Sequence, residues 1–415
     1  MSKSKIQAVQ VIANQGEVKF GHPHKDIYTA ATRISSCGWV DTGEGAVLLD
    51  TLLYPDAAES TLEKIHETAG NIEYIVFTHG HLDHISGAKV FQSDDPKEII
   101  ANEYLPLRLD KYKMLAQHRN RVSAQQFNLP ERKISAEQGA KIDFVYPTKT
   151  FLGEYTFKLG NKTFECRTAR AETDDYCWVW IPETGTAAVG DLIIRSFPNI
   201  GNPWKPTRFT LDWAKALEEV RAKEPEILLC GGAGIAIHGE EALDTLDVNI
   251  EAIRNLHDQV VKYINEDMHI SEMIHAVKLP DHLAKHPRLQ FSYSRPEFLV
   301  YNAYRWYHGY FDGNPANLIP RPEKEVSSAI MELIGNPNAV LENAKKYLEN
   351  GQAQLGLQVL DVLLQAQPDN PQARKLRVQL LETLAAEDRC LMSRNAWVYF
   401  IEKDRAFLDS WEHAI

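Results

Sequence analysis

The chain is poor in the features that membranes, secretion and nucleic acids demand. No run of ~20 apolar residues occurs in its 415 residues, so no helical membrane span is expected. No apolar stretch of signal-peptide length follows Met1-Ser2-Lys3-Ser4-Lys5, so a secretory leader is not expected either. Cysteine is scarce. Cys37, Cys166, Cys177, Cys230 and Cys390 are odd in number, scattered and free of C-x-x-C spacing, which suits a reducing cytoplasm better than a disulfide framework. Basic residues are outnumbered, 45 Lys and Arg against 57 Asp and Glu, for a net charge of −12. Such a surface repels phosphate backbones and anionic lipid, which argues against nucleic acid as a partner and for a small-molecule substrate. A composition of 44% hydrophobic and 25% charged residues is that of a globular protein, with length for two or three domains.

The first half alternates short β-type runs with helical stretches. Gly45–Thr51 and Asn71–Thr78 read as apolar strands, separated by a helix from about Ala57 to Thr68. Tyr176–Ile181 and Thr186–Gly190 read as a hairpin around Pro182-Glu183-Thr184-Gly185. A helix over Leu211–Lys223 and a buried strand over Glu226–Cys230 complete an α/β pattern of layered sheets and helices. The second half is helical: Glu240–Glu266, Ile270–Val277, Val326–Ile334, Val340–Leu348, Ala353–Ala366, Gln372–Ala385 and Arg394–Leu408. Gly and Pro stop signals at Glu349-Asn350-Gly351-Gln352 and Pro368-Asp369-Asn370-Pro371 make antiparallel hairpins that resemble helical repeats. The expected division is a catalytic domain over 1–270 and a helical packing or dimerisation domain over 271–415.

One segment carries chemistry. Thr78-His79-Gly80-His81-Leu82-Asp83-His84 leaves a strand directly and crowds three histidines and an aspartate into six positions. Imidazole and carboxylate donors at this spacing suit zinc or another borderline transition metal. His79 and His81 would serve one ion, Asp83 and His84 a second. The alternative is a polar turn that caps a helix.

This H-x-H-x-D-H segment, with Leu48-Leu49-Asp50-Thr51 before it, resembles the metallo-β-lactamase superfamily. The resemblance implies an αββα sandwich with two divalent transition-metal ions at one edge between the sheets. Its third histidine is replaced by Glu172 in Ala171-Glu172-Thr173-Asp174-Asp175, as in the alkyl sulfatase branch, and its bridging aspartate falls at Asp191. Leu256-His257-Asp258-Gln259, Tyr307-His308-Gly309-Tyr310-Phe311-Asp312-Gly313-Asn314-Pro315 and Ser393-Arg394-Asn395 extend the likeness through a helical dimerisation domain. The sterol-carrier-like domain of longer sulfatases is not expected in this sequence. The resemblance thus implies a homodimeric hydrolase that cleaves an ester or sulfate ester with an apolar group through a metal-bound hydroxide, with Asp83 and Asp191 as the catalytic carboxylates. Zinc is the expected metal, with iron or manganese as alternatives. The same ligand set resembles diiron oxygenases on this fold, which keeps dioxygen chemistry open.

The sequence departs from the pattern at the last ligand. The loop Cys230-Gly231-Gly232-Ala233-Gly234-Ile235-Ala236-Ile237-His238 has Gly232 or Ala233 where a histidine is expected. His238 stands several residues late, either as a rearranged ligand or as a helix-entry residue. Asn199 and Arg208, after the Asp191 strand, could bind an anionic or polar group. Arg121, in the basic aromatic stretch Asn102–Arg132, could do so from a cap.

Overall fold

A computed structural model describes residues 17–232 and 236–413. Two compact units emerge. Among the described residues, one comprises 17–119 and 133–308, and the other contains 120–132 and 309–413.

The larger unit holds two sheets. The first has seven strands in the order β1 (Lys19–His24), β2 (Ile27–Ala31), β3 (Ser36–Asp41), β4 (Ala46–Leu49), β5 (Ile72–Val76), β6 (Glu98–Asn102) and β7 (Lys149–Phe151). The second comprises β8 (Glu154–Leu159), β9 (Lys162–Ala169), β10 (Tyr176–Ile181), β11 (Thr186–Gly190), β12 (Ile227–Cys230) and β13 (Ala236–His238), also paired in chain order. The expected hairpin is β10–β11, with Ile181 opposite Thr186 and Gly185 taking the left-handed conformation at φ 60°. The pairs β4–β5 and β11–β12 are parallel. Their C-terminal ends therefore lie side by side within each sheet, and the polar loops that matter leave from those ends.

Three apolar layers explain the sandwich. Val40, Val47, Leu49, Val76 and Ile100 of the first sheet meet Phe164, Cys166, Val179, Ile181 and Leu229 of the second. The outer face of the first sheet buries Trp39, Leu48 and Ile75 against Ala57, Ala58 and Ile65 of the helix Pro55–Ala69. The outer face of the second buries Trp178, Ala187 and Leu228 against Trp213, Leu217, Leu246 and Ile253, from the helices Thr210–Ala222 and Gly239–Asn265. Helix, sheet, sheet, helix is the expected αββα order. Strands buried on both faces read as continuous apolar runs rather than alternating ones.

The smaller unit is helical. Glu323–Ile334, Pro337–Glu349, Ala353–Ala366 and Pro371–Glu387 pack around Met331, Val340, Ala344, Leu360, Leu363 and Leu380, and Leu391–Glu412 joins Pro371–Glu387 through Val378, Leu381 and Ile401. Asn336 and Asn370 cap the second and fourth of these by accepting a backbone N–H, each with Pro in the first turn. No described helix is long and apolar enough to cross a membrane.

Candidate metal centre

The centre is built at the C-terminal strand ends of the larger unit. The chain leaves β5 through Phe77 and Thr78 into His79, Gly80 and His81, then enters the short helix Leu82–Ile85. This places His79, His81, Asp83 and His84 on one tight turn. The turn preceding β10 supplies Glu172 and the residue after β11 is Asp191. Donor atoms of His79, His81, Glu172 and Asp191 lie within 4.8 Å of one another, and so do those of Asp83, His84 and Asp191. Asp191 belongs to both groups. The six residues that the sequence nominates as ligands thus converge.

Each donor is aimed by a neighbour. Asp50, just past β4 at φ 62°, accepts the Thr78 backbone N–H at 2.7 Å, the Thr78 hydroxyl at 2.8 Å and His84 Nδ1 at 2.7 Å. That leaves His84 Nε2 pointing inward. Thr51 holds the same residue by donating its N–H and hydroxyl to the His84 carbonyl. His79 stacks on Tyr176 with ring centroids 4.7 Å apart. The Tyr176 hydroxyl donates to the Val189 carbonyl at 2.7 Å and accepts the Leu192 N–H at 3.0 Å, pinning the turn that carries Asp191. Gly80 donates its N–H to the fully buried Asp175 carboxylate at 2.8 Å, and Arg108 pairs with that carboxylate from the other side. A Cβ on Gly80 would stand 2.5–2.7 Å from Leu105, Arg108 and Asp175, so glycine is required there.

The electrostatics are those of a cation site. Burial holds the His79 and His81 imidazoles well below their ordinary range, leaving neutral rings with lone pairs. Burial also opposes a charge on His84, but the carboxylates of Asp191, Asp50 and Asp83 outweigh it and hold this imidazole well above its ordinary value. Burial pushes Glu172 up to about 8 against the pull of Arg208, with Asp191 and Asp83 adding to the rise. Three buried atoms, His84 Nε2, Glu172 Oε2 and Asp191 Oδ1, have no hydrogen-bond partner. Unsatisfied buried polar atoms are costly. Two neutral imidazoles, a third set among carboxylates, and three unpartnered buried atoms at one point fit a divalent transition metal. The side chains of His81, Asp83 and Asp191 are only partly buried and give the centre its opening.

Residues 30–232 match the family described as metallo-beta-lactamase superfamily, and residues 269–405 match alkyl sulfatase dimerisation. The chain carries a metallo-beta-lactamase domain in its first half. It carries an alkyl sulfatase dimerisation domain in its helical half. A linear primary-alkylsulfatase of Pseudomonas sp. is 24% identical over 387 residues, which cover 86% of this chain and 71% of that protein. An alkyl/aryl-sulfatase of Saccharomyces cerevisiae is 22% identical, covering 88% of this chain and 60% of its own. A solved stereoselective inverting sec-alkylsulfatase from Pseudomonas sp. superposes with a TM-score of 0.82 at 20% identity, over 93% of this chain and 66% of that one. The chain spans 60–71% of the length of these three relatives.

The remaining nominated residues fall differently. Asn199 donates to Glu172 Oε1 at 2.8 Å, and the buried Arg208 guanidinium pairs with the same oxygen. Both therefore hold Glu172, rather than standing as free anion binders. Arg121 belongs to the smaller unit, half exposed, with Nε 3.4 Å from Glu131. His238 is exposed, paired with Ile227 at the edge of the second sheet and followed by the helix Gly239–Asn265. Sequence reading missed the roles of Asp175 and Tyr176. It also passed over Tyr293 and Lys205. Burial drives the Tyr293 phenol up, and the charges of Glu172 and Asp83 add to it. Lys205 is pushed down to about 8 by burial, with Arg119 and Arg208 adding. The adjacency of Asp175 to Glu172 was the one available signal.

Proposed function

We propose that the chain is a metal-dependent hydrolase of sulfate esters with an alkyl tail, acting as a homodimer with two divalent cations, zinc foremost. The observation that carries the reading is the convergence of six donors with three orphaned buried atoms in a chain whose relatives are named alkylsulfatases. Divalent cations supply Lewis-acid polarisation of the ester and lower the pKa of water. His79, His81, Glu172 and Asp191 would hold one cation, and Asp83 and His84, with Asp191 shared, would hold the other. Arg208 and Asn199 occupy Glu172 Oε1 and thereby turn Oε2 inward. Asp83, the most exposed of the carboxylates, would orient the water that the cations make acidic. Water adds across the ester bond, giving an alcohol and sulfate. The oxygenase alternative gains no support from relatives named sulfatases.

We place the functional division at 270/271, supported by a dimerisation match that starts at residue 269. The five cysteines are all buried thiols, which supports a reducing cytoplasm as the site of action. The test is sulfate release from a linear primary alkyl sulfate by the zinc-loaded protein. Release is expected, and its loss in His79→Ala or His81→Ala with the helical half still folded. Cleavage of carboxylic esters without sulfate release would overturn the sulfatase reading.

A further inference from the structure

The two donor groups are not equal. We infer that this chain holds one divalent cation tightly at His79, His81, Glu172 and Asp191, and a second only in exchange at Asp83, His84 and Asp191, where an anionic oxygen ligand from solution completes the coordination. The inference rests on the metal reading above and divides it.

The first group has four protein donors and the second three, with Asp191 counted in both. With Asp191 committed to the first cation, the second has only Asp83 and His84 of its own. Another donor from the second sheet would have to come from the loop after β12. Cys230 directs Sγ at the Leu228 carbonyl, 3.9 Å away. Gly231 has no room for a side chain, because a Cβ there would stand 1.8 Å from Asp191 Oδ1. Positions 232–237 are Gly, Ala, Gly, Ile, Ala and Ile, none with a donor side chain. His238 lies exposed on β13. The residues outside the described set, 1–16, 233–235 and 414–415, contain no histidine, cysteine, aspartate or glutamate. The donors of these four types are therefore fully counted.

His84 is held by Asp50 and Thr51, so the difference in support falls on Asp83. His79 is stacked on Tyr176, Gly80 is fixed by Asp175, and Glu172 is held by Asn199 and Arg208. The Asp83 side chain is a third exposed. Zinc takes about four donors, so the first group meets its demand from protein alone and the second does not. The open position sits on the more exposed side, where the oxygen of a sulfate ester or of free sulfate can enter.

The test is equilibrium dialysis of the full chain against buffered free zinc, with zinc per chain counted by elemental analysis. Two steps are expected, one tight equivalent and one weaker. Their separation should be no less than the ~10–100-fold that loss of a mere orienting partner costs. Added sulfate should tighten only the weaker step. Asp83→Asn should abolish the weaker step and keep the tight one. Two equivalents of equal affinity would overturn the inference and leave the metal reading standing. Absence of any retained zinc would overturn both. Loss of the tight step in Asp83→Asn would also overturn the assignment. The wild-type isotherm carries the test, so it does not depend on how the variant folds.

Discussion

Asp50 shows how much of the centre depends on residues that touch no ligand. Its carboxylate takes three hydrogen bonds, and the one to His84 Nδ1 fixes which ring nitrogen faces inward. Asp50→Asn should weaken zinc binding by ~10–100-fold in a chelator competition, and an unchanged affinity would reject this role. Gly231 offers a second residue-scale test. A methyl group placed there must displace the Asp191 carboxylate, which belongs to both donor groups, so Gly231→Ala should lose both zinc steps. Gly232→Ala is the contrast. Its Cβ would meet only Ile194 at 3.7 Å, and its cost is the left-handed φ of 56°, ~1 kcal/mol of stability with zinc binding kept. The candidate donors on the β5 turn were legible in the sequence because all four fall within six consecutive positions. Asp50 was visible in Leu48-Leu49-Asp50-Thr51, but its contact, like those of Asp175 and Tyr176, was not, because the partners lie 34, 95 and 13 residues away and meet only after the strands pair.

At the level of elements, helix periodicity was the clearest signal. Ala353–Ala366 is found at its expected bounds, and Gln372–Ala385 extends only to Pro371–Glu387. The strands Ile27–Ala31 and Ser36–Asp41 escaped notice, because Ala, Ser, Gly and Thr buried on both faces give neither alternation nor a long apolar run. The last helix runs Leu391–Glu412, well past the expected Arg394–Leu408. Within it, the Asp404 carboxylate is fully buried and takes Arg374 at 2.8 Å and Arg377 at 2.6 Å from the neighbouring helix. Asp404→Ala would leave two guanidinium groups facing an apolar seam. The cost should be on the order of 2–3 kcal/mol, below the ~3–5 for a fully buried pair because both arginines keep some solvent. Thermal unfolding would register it as a lower Tm, and an unchanged Tm would show that the cluster contributes only geometry.

For the whole molecule, the helical unit leaves an apolar stripe on Glu323–Ile334. Val326, Ile330, Leu333 and Ile334 are exposed there, Leu333 at 89%, while Ser327 and Met331 face inward. A dimerisation domain explains such a stripe as a surface that a second copy covers. Leu333→Asp with Ile330→Asp should convert a dimer to a monomer in sedimentation equilibrium at micromolar concentration. A wild-type chain that is already monomeric there would count against the proposal. The central claim is that the His79–His84 turn, Glu172 and Asp191 form a metal centre to which β13 contributes nothing. Anomalous scattering at the zinc edge from crystals of zinc-loaded protein tests it most directly. The account predicts a strong peak ~2.0–2.2 Å from donor atoms of His79, His81, Glu172 and Asp191, with a weaker one beside Asp83 and His84. A principal peak elsewhere in the chain, or one with His238 among its ligands, would contradict it.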